Sequence, residues 1–227
     1  MPNDEKSKLC EPVLPIFVMI DASDTPNKEE KEKEIVDLLN YLFSELHARY
    51  EKCNPDIYLI AYSSDLFKEM QKRDLKEIDK LDIPFGGENN FVESYYRLLC
   101  FYKTIKREKY IANGIDYLHI QFLFILNNEI KQQDAQLNKD FENLYHENLY
   151  KYCSTFLITK EGNDKEKVER IKNSVSKYRN SMGGIYALPI KKKEREYSTF
   201  STEDLPSLPD GEEPIIDFFD FLNIDEL

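Results

Sequence analysis

Tryptophan is absent from the 227 residues, and glycine occurs only 7 times. So few glycines leave little material for loops that wrap a phosphate, and neither GxGxxG nor GxxxxGK[ST] occurs. Nucleotide binding through those loops is excluded. GxSxG is missing too, which excludes a serine nucleophile elbow. The three histidines, His47, His119 and His146, fall in stretches with helix, strand and helix character. None has an evident partner to position it as a general base. Four cysteines, Cys10, Cys53, Cys100 and Cys153, show no CxxC spacing. They read as free thiols in a reducing cytoplasm, with Cys100 and Cys153 as small core residues, and not as a zinc site. No run approaches the roughly 18 apolar residues of a spanning helix, and the opening MPNDEKSKL has no apolar signal core. Cations are outnumbered: 31 Lys and Arg face 43 Asp and Glu, a net charge of -12. Such a surface repels nucleic acid and anionic membrane, so neither is expected as a partner. The longest basic run, 191–193, is followed by acidic residues.

What is present is a globular composition, 41% hydrophobic and 13% aromatic, with 14 Phe and 15 Tyr. The length suits one large domain, expected over 14–227 behind a flexible leader at 1–13. The chain is organised around LPIFVMIDASDT at 14–25. Ile16, Phe17, Val18, Met19 and Ile20 run without polar alternation, as in a strand buried on both faces of a sheet. The run stops at Asp21, and Ser23 and Thr25 follow before Pro26. Open α/β sheets bind ligands at that edge of their strands.

Downstream, Ile35, Leu38, Leu39, Leu42, Phe43 and Leu46 keep helical spacing, behind a charged start at 28–34 read as a solvated face. A second buried strand is expected over 56–62 and a short edge strand over 66–70. Residues 81–85 are extended and end in Gly86-Gly87. A helix follows over 91–110, with Tyr95, Leu98, Leu99 and Tyr102 on one stripe, and Asn113-Gly114 breaks it. Further strands are expected over 118–126, 154–159 and 185–190, and helices over 134–150 and 163–180. A connector at 198–212 leads to PIIDFFDFLNI, where Ile215, Phe218, Phe219 and Leu222 share a helical face. Alternating strands and helices of this kind argue a doubly wound sheet.

Two readings of Asp21, Ser23 and Thr25 stand side by side. A carboxylate with two hydroxyls suits a hard cation such as Mg2+. The same residue types also cap helices and close turns.

Four blocks in order, LPIFVMIDASDT, DIYLIAYSSDLFKEM, IPFGGENNFVESY and FLFILNNEI, resemble the von Willebrand factor A domain. The terminal DFFDFL is similar to the closing helix of the bacterial TerY-like, tellurium-resistance type. The resemblance spans roughly 14–224. Together with the order of elements, it implies an α/β fold: a doubly wound, mostly parallel six-stranded sheet in the order 3-2-1-4-5-6, with helices on both faces. It implies a metal-ion-dependent adhesion site at Asp21, Ser23, Thr25, Glu88 and Asn128. This chain departs from the family's pattern there. Glu88 stands where the family has threonine, Asn128 where it has aspartate, and Asp24 where a small residue is usual. Asn128 contributes no formal charge, so Mg2+ is expected to bind weakly or not at all.

The resulting expectation is a cytoplasmic, non-enzymatic module that docks a protein partner at the strand C-terminal edge, in a bacterial stress-response or signalling assembly. The alternative is a metal-dependent hydrolase of phosphate esters on the same sheet topology, though the extra carboxylates or lysine it would need near the strand ends are not evident. Glu88 and Asp21 also read as a paired general acid and base, against which a relic metal loop is the better reading.

Overall fold

The organising stretch forms strand β1, Val13–Asp21. Residues 14 to 21 are all buried, which is why no polar residue alternates in it. The computed structural model describes residues 12–49, 54–70, 81–117, 120–131, 135, 136, 139, 152–159, 165–175, 185–188 and 198–199. After β1 come helix α1 (Lys28–Arg49), β2 (Asn54–Tyr62) and β3 (Phe67–Glu69). Helix α2 (Phe91–Ile105) runs into a π-helical turn (Lys106–Ile111), followed by β4 (Ile120–Leu126) and β5 (Tyr152–Thr159). Helix α3 (Lys165–Val175), β6 (Ile185–Leu188) and β7 (Ser198–Thr199) complete the described elements.

The strands form one sheet in the order β3-β2-β1-β4-β5-β6-β7. β1 pairs in parallel with β2 on one side and β4 on the other, so it lies inside the sheet. The central order 3-2-1-4 is the expected one, with β3 as an antiparallel edge joined to β2 by a short turn. The count differs from the six strands expected. β7 lies antiparallel to β6, and its two residues leave no periodicity to read in a stretch taken as a connector.

Parity along the strands divides the core. Ile16, Val18 and Ile20 face α1 and pack with Ile35, Leu39, Leu42 and Phe43 in a mainly aliphatic layer. Phe17 and Met19 face α2, in a layer rich in aromatic rings that also includes Val168 and Ile171 of α3. Helices thus cover both faces. In the second layer Phe17 stacks on Tyr58 at 4.6 Å between centroids, and Phe91 meets Phe124 edge-on at 5.2 Å.

Two burial expectations are corrected. Lys31, read as part of a solvated face, is 2% exposed. It lies one turn before Ile35 on the helix's inner face, and its ammonium pairs with Glu34 at 3.1 Å. Cys100, read as a core residue, is an exposed free thiol, because Leu98, Leu99 and Tyr102 claim the buried side of α2. The expected leader at 1–13 lies outside the described residues up to 11, and β1 begins at Val13. The expected terminal helix, His119, His146, Cys10 and Cys53 lie outside them altogether, as does most of the 134–150 helix.

At the N-terminal end of the sheet a second polar cluster closes the core. Asp56 accepts hydrogen bonds from the Tyr58 hydroxyl at 2.7 Å, the Tyr110 hydroxyl at 2.7 Å and the Lys109 ammonium at 2.5 Å. The π-helical turn delivers Lys109 and Tyr110 side by side to one carboxylate. Asn113 then caps the turn by donating to the Glu108 and Lys109 carbonyls, and Gly114 leaves it at φ +62°.

Candidate functional site

Strand order reverses direction between β1 and β4, and the loops that follow β1, β2 and β4 meet at that switch point. The segment leading into α2 joins them. Asp21 is the last residue of β1 and shares the parity of Phe17 and Met19, so it faces the side from which α2 starts. Its register partner on β2 is Tyr62, and both are fully buried.

The buried carboxylate is surrounded by donors. Its Oδ1 accepts the Ser23 backbone N–H at 2.9 Å, an Asx turn, and the Ser23 hydroxyl. Its Oδ2 accepts Asn89 Nδ2 at 3.0 Å, the Asn127 N–H at 3.0 Å and the Asn128 N–H at 2.9 Å. Burial pushes the Asp21 carboxyl above its ordinary value, while the hydrogen bonds from Ser23, Asn127 and Asn128 pull the other way. Burial, and then the Asp21 charge, push the Tyr62 hydroxyl well up.

The loops are tied to one another as well. Asn127 Nδ2 donates to the Asp21 carbonyl at 2.6 Å. Asn128 Nδ2 donates to Ser23 Oγ at 2.8 Å and to the Asp24 carbonyl at 3.1 Å. Asn89 Nδ2 also donates to the Asn128 carbonyl at 3.0 Å. The Asp24 N–H donates to the Gly87 carbonyl at 2.9 Å, and the Gly86 N–H to the Ala22 carbonyl at 2.8 Å. The Ser64 N–H donates to the Glu88 carbonyl at 2.7 Å, and the Glu88 N–H donates to Ser64 Oγ at 3.0 Å. Gly87 permits that approach. Its φ is +74°, and a Cβ there would stand 2.5 Å from Ser64 Oγ.

Of the five residues selected from sequence, Asp21, Ser23 and Asn128 converge by direct hydrogen bonds. Thr25 is buried beside them at 3% exposure, and α1 begins three residues later at Lys28. The side chain of Glu88 does not join the cluster. It is 69% exposed and pairs with Lys131 at 2.7 Å. The general acid and base pair of Asp21 and Glu88 is therefore not assembled. Asn89 and Asn127 are the cluster members that sequence reasoning missed. The outer rim carries Asp24 paired with Lys28 at 3.1 Å and the exposed Asp65, beside the Glu88–Lys131 pair.

These residues do not fit a hard cation. Mg2+ needs several oxygen lone pairs aimed at one point. Asp21 has about four lone-pair directions and already accepts from Ser23 N, Ser23 Oγ, Asn89, Asn127 and Asn128. Asn128 turns N–H, and not oxygen, toward Ser23. Among the described residues no group of three His, Cys, Asp or Glu is placed to hold a metal. Among them, too, no helix is long and apolar enough to cross a membrane.

No family model matches the sequence, and no curated protein matches it. The structure is similar to a von Willebrand factor type A protein from Catenulispora acidiphila, at 5% identity over 78% of this chain and 39% of that one, with a TM-score of 0.49. It is similar to the SpRpn10 VWA domain, at 9% identity over 79% and 90%, with a TM-score of 0.47. It is also similar to proximal thread matrix protein 1 from the mussel byssus, solved with a zinc-occupied MIDAS motif, at 12% identity over 79% and 44%, with a TM-score of 0.45. The chain spans less than half the length of the first and third of these. At such values none of them carries a function over to this chain.

Proposed function

We propose that this chain is a von Willebrand factor A-like module, one domain over 14–227, that docks a protein partner at the C-terminal edge of its central strands. The site is centred on Asp21, Ser23, Thr25, Glu88 and Asn128. The observation that carries this reading is the inward use of the Asp21 carboxylate. It accepts five hydrogen bonds from its own loops, which leaves it no part in acid, base or nucleophilic chemistry. What the cluster offers outward is a fixed shape with a charged rim, Asp24, Lys28, Asp65, Glu88 and Lys131. Rim charges of that kind govern encounter rate and partner choice more than final affinity.

Asp21 and Asn128 hold the loops, while Glu88, at the rim, meets the partner directly. A bacterial stress-response setting, of the TerY-like kind, rests on the sequence resemblance alone, and a cytoplasmic location on four cysteines without CxxC spacing. The hydrolase alternative has no observation of its own in its favour.

The test is affinity capture from the native host with wild-type protein and with Glu88→Lys and Asp24→Lys, which change the rim without entering the core. A partner retained by the wild type and lost by both variants, with unchanged melting temperatures, is the expected result. Equal retention by all three proteins moves the docking surface elsewhere and overturns the reading.

A further inference from the structure

We propose that the side-chain amide of Asn128 does for these loops what a divalent cation would do, so that the cluster is closed permanently and is indifferent to divalent cations. This is a property of the folded chain alone and holds whether or not a partner docks at this edge.

A cation at such a strand end has one structural effect, which is to draw the loops after the strands together around oxygen atoms. Asn128 achieves the same with four hydrogen bonds. Its backbone N–H donates to Asp21 Oδ2, and its carbonyl accepts from Asn89 Nδ2. Its amide Nδ2 donates to Ser23 Oγ and to the Asp24 carbonyl. One residue from the β4 loop thus reaches the β1 loop at three successive points of its turn and the approach to α2 at a fourth.

The orientation of the amide follows from chemistry. The Asp24 backbone carbonyl is an acceptor without a proton, so the group 3.1 Å from it must be the NH2 end. Asn89 is fixed in the same way, since its Nδ2 faces Asp21 Oδ2 and the Asn128 carbonyl, both acceptors. Ser23 completes the logic. Its hydroxyl donates to Asp21 and accepts from Asn128, so its proton and the lone pair facing inward are both in use. A cation entering here would meet the positive end of an N–H bond from Asn128 Nδ2. An aspartate at 128 would reverse this: it would set a carboxylate against the Asp24 carbonyl, with only the Ser23 hydroxyl between it and the Asp21 carboxylate, an arrangement that a cation relieves.

The test uses the purified full chain and three proteins: wild type, Asn128→Ala and Asn128→Asp. Each is melted in EDTA, Mg2+ and Mn2+, and the wild type is also titrated with Mg2+ by calorimetry. The wild type is expected to melt at one temperature in all three conditions and to give no saturable heat. Asn128→Ala, which loses two side-chain hydrogen bonds, is expected to melt about 4–8 °C lower in every condition. Asn128→Asp is expected to melt below wild type in EDTA and to regain about 5–10 °C when Mg2+ is far above its dissociation constant. The proposal is overturned if Mg2+ stabilises the wild type, if Asn128→Ala melts with the wild type, or if a folded Asn128→Asp ignores cations. Should Asn128→Asp fail to fold, the wild-type titration and the alanine variant decide the matter.

Discussion

Replacing Asp21 by alanine separates a structural carboxylate from a decorative one. Five donors face it: Ser23 N–H and Oγ–H on one oxygen, and Asn89 Nδ2, Asn127 N–H and Asn128 N–H on the other. Two of them have recourse. The Ser23 hydroxyl can rotate, and Asn89 keeps the Asn128 carbonyl as an acceptor. Three backbone N–H groups, of the buried Ser23 and Asn127 and the half-buried Asn128, are then left without their acceptor. Each such loss costs about 1–3 kcal/mol. A water admitted into the space left by the carboxylate relieves part of it, so the lower end of the range applies. Three losses give about 3 kcal/mol, and for a chain of this length that is a fall of about 6–12 °C in melting temperature. Asp21→Asn provides the control. Its amide oxygen can serve Asn89, Asn127 and Asn128 while its NH2 turns toward Ser23, so one backbone donor is opposed in place of three. The loss should then be about 1–2 kcal/mol. Urea titration and thermal melting of the three proteins check the order wild type, Asn, Ala. An alanine variant within about 2 °C of wild type, less than 1 kcal/mol for this length, would refute the claim that the cluster is built on this carboxylate.

Gly87→Ala should destabilise the chain by about 1–2 kcal/mol for its left-handed backbone alone, with more from the Cβ set 2.5 Å from Ser64 Oγ, whereas Gly86→Ala, with nothing within 4 Å, should be neutral; urea midpoints of the pair distinguish them. Alkaline pH should weaken the fold through the Asp56 cluster. Burial would lower the Lys109 ammonium, but its bonds to Asp56 and Tyr58 outweigh this and raise it, and burial raises the Tyr58 and Tyr110 hydroxyls. All three groups hold protons longer folded than unfolded, so their contribution is complete below about pH 10 and declines as pH rises above it. Lys109→Met with Tyr110→Phe should flatten that decline in a stability-against-pH series; a slope as steep as wild type would remove the cluster as its source. Glu88→Gln should leave stability within about 0.5 kcal/mol of wild type, because its ion pair with Lys131 is largely exposed to solvent.

The central order of the sheet was legible because it depends on patterns that local packing enforces. β1 could be read as a strand inside the sheet since neither face tolerates a polar side chain, and β3 as an edge since only Ser63 to Leu66 separate it from β2. Where the reading followed residue type over position, it went astray. Cysteine is commonly buried, yet the stripe of Tyr95, Leu98, Leu99 and Tyr102 already placed residue 100 on the outer side of α2. Lysine is commonly exposed, yet Lys31 is one turn from Ile35 and its stem belongs to the same face. In both cases the periodicity held the answer and composition overruled it.

The site was harder to read because loops have no period. Gly87, at φ +74°, turns the chain so that Glu88 leaves for solvent and Asn89 enters the cluster. Asn89 and Asn127 carry no charge to draw attention, and Glu88 does. Electrostatics favours the uncharged pair. Asp21 is a carboxylate at the end of a fully buried strand, and a second carboxylate beside it would raise the cost of burial. Its needs are donors without further negative charge. Asparagine side chains and backbone N–H groups at strand ends supply them, and this chain places one Asn pair at 89–90 before α2 and another at 127–128 after β4. Of those four asparagines, Asn89, Asn127 and Asn128 donate to the Asp21 carboxylate, so amide and backbone N–H groups meet its need for donors without adding negative charge.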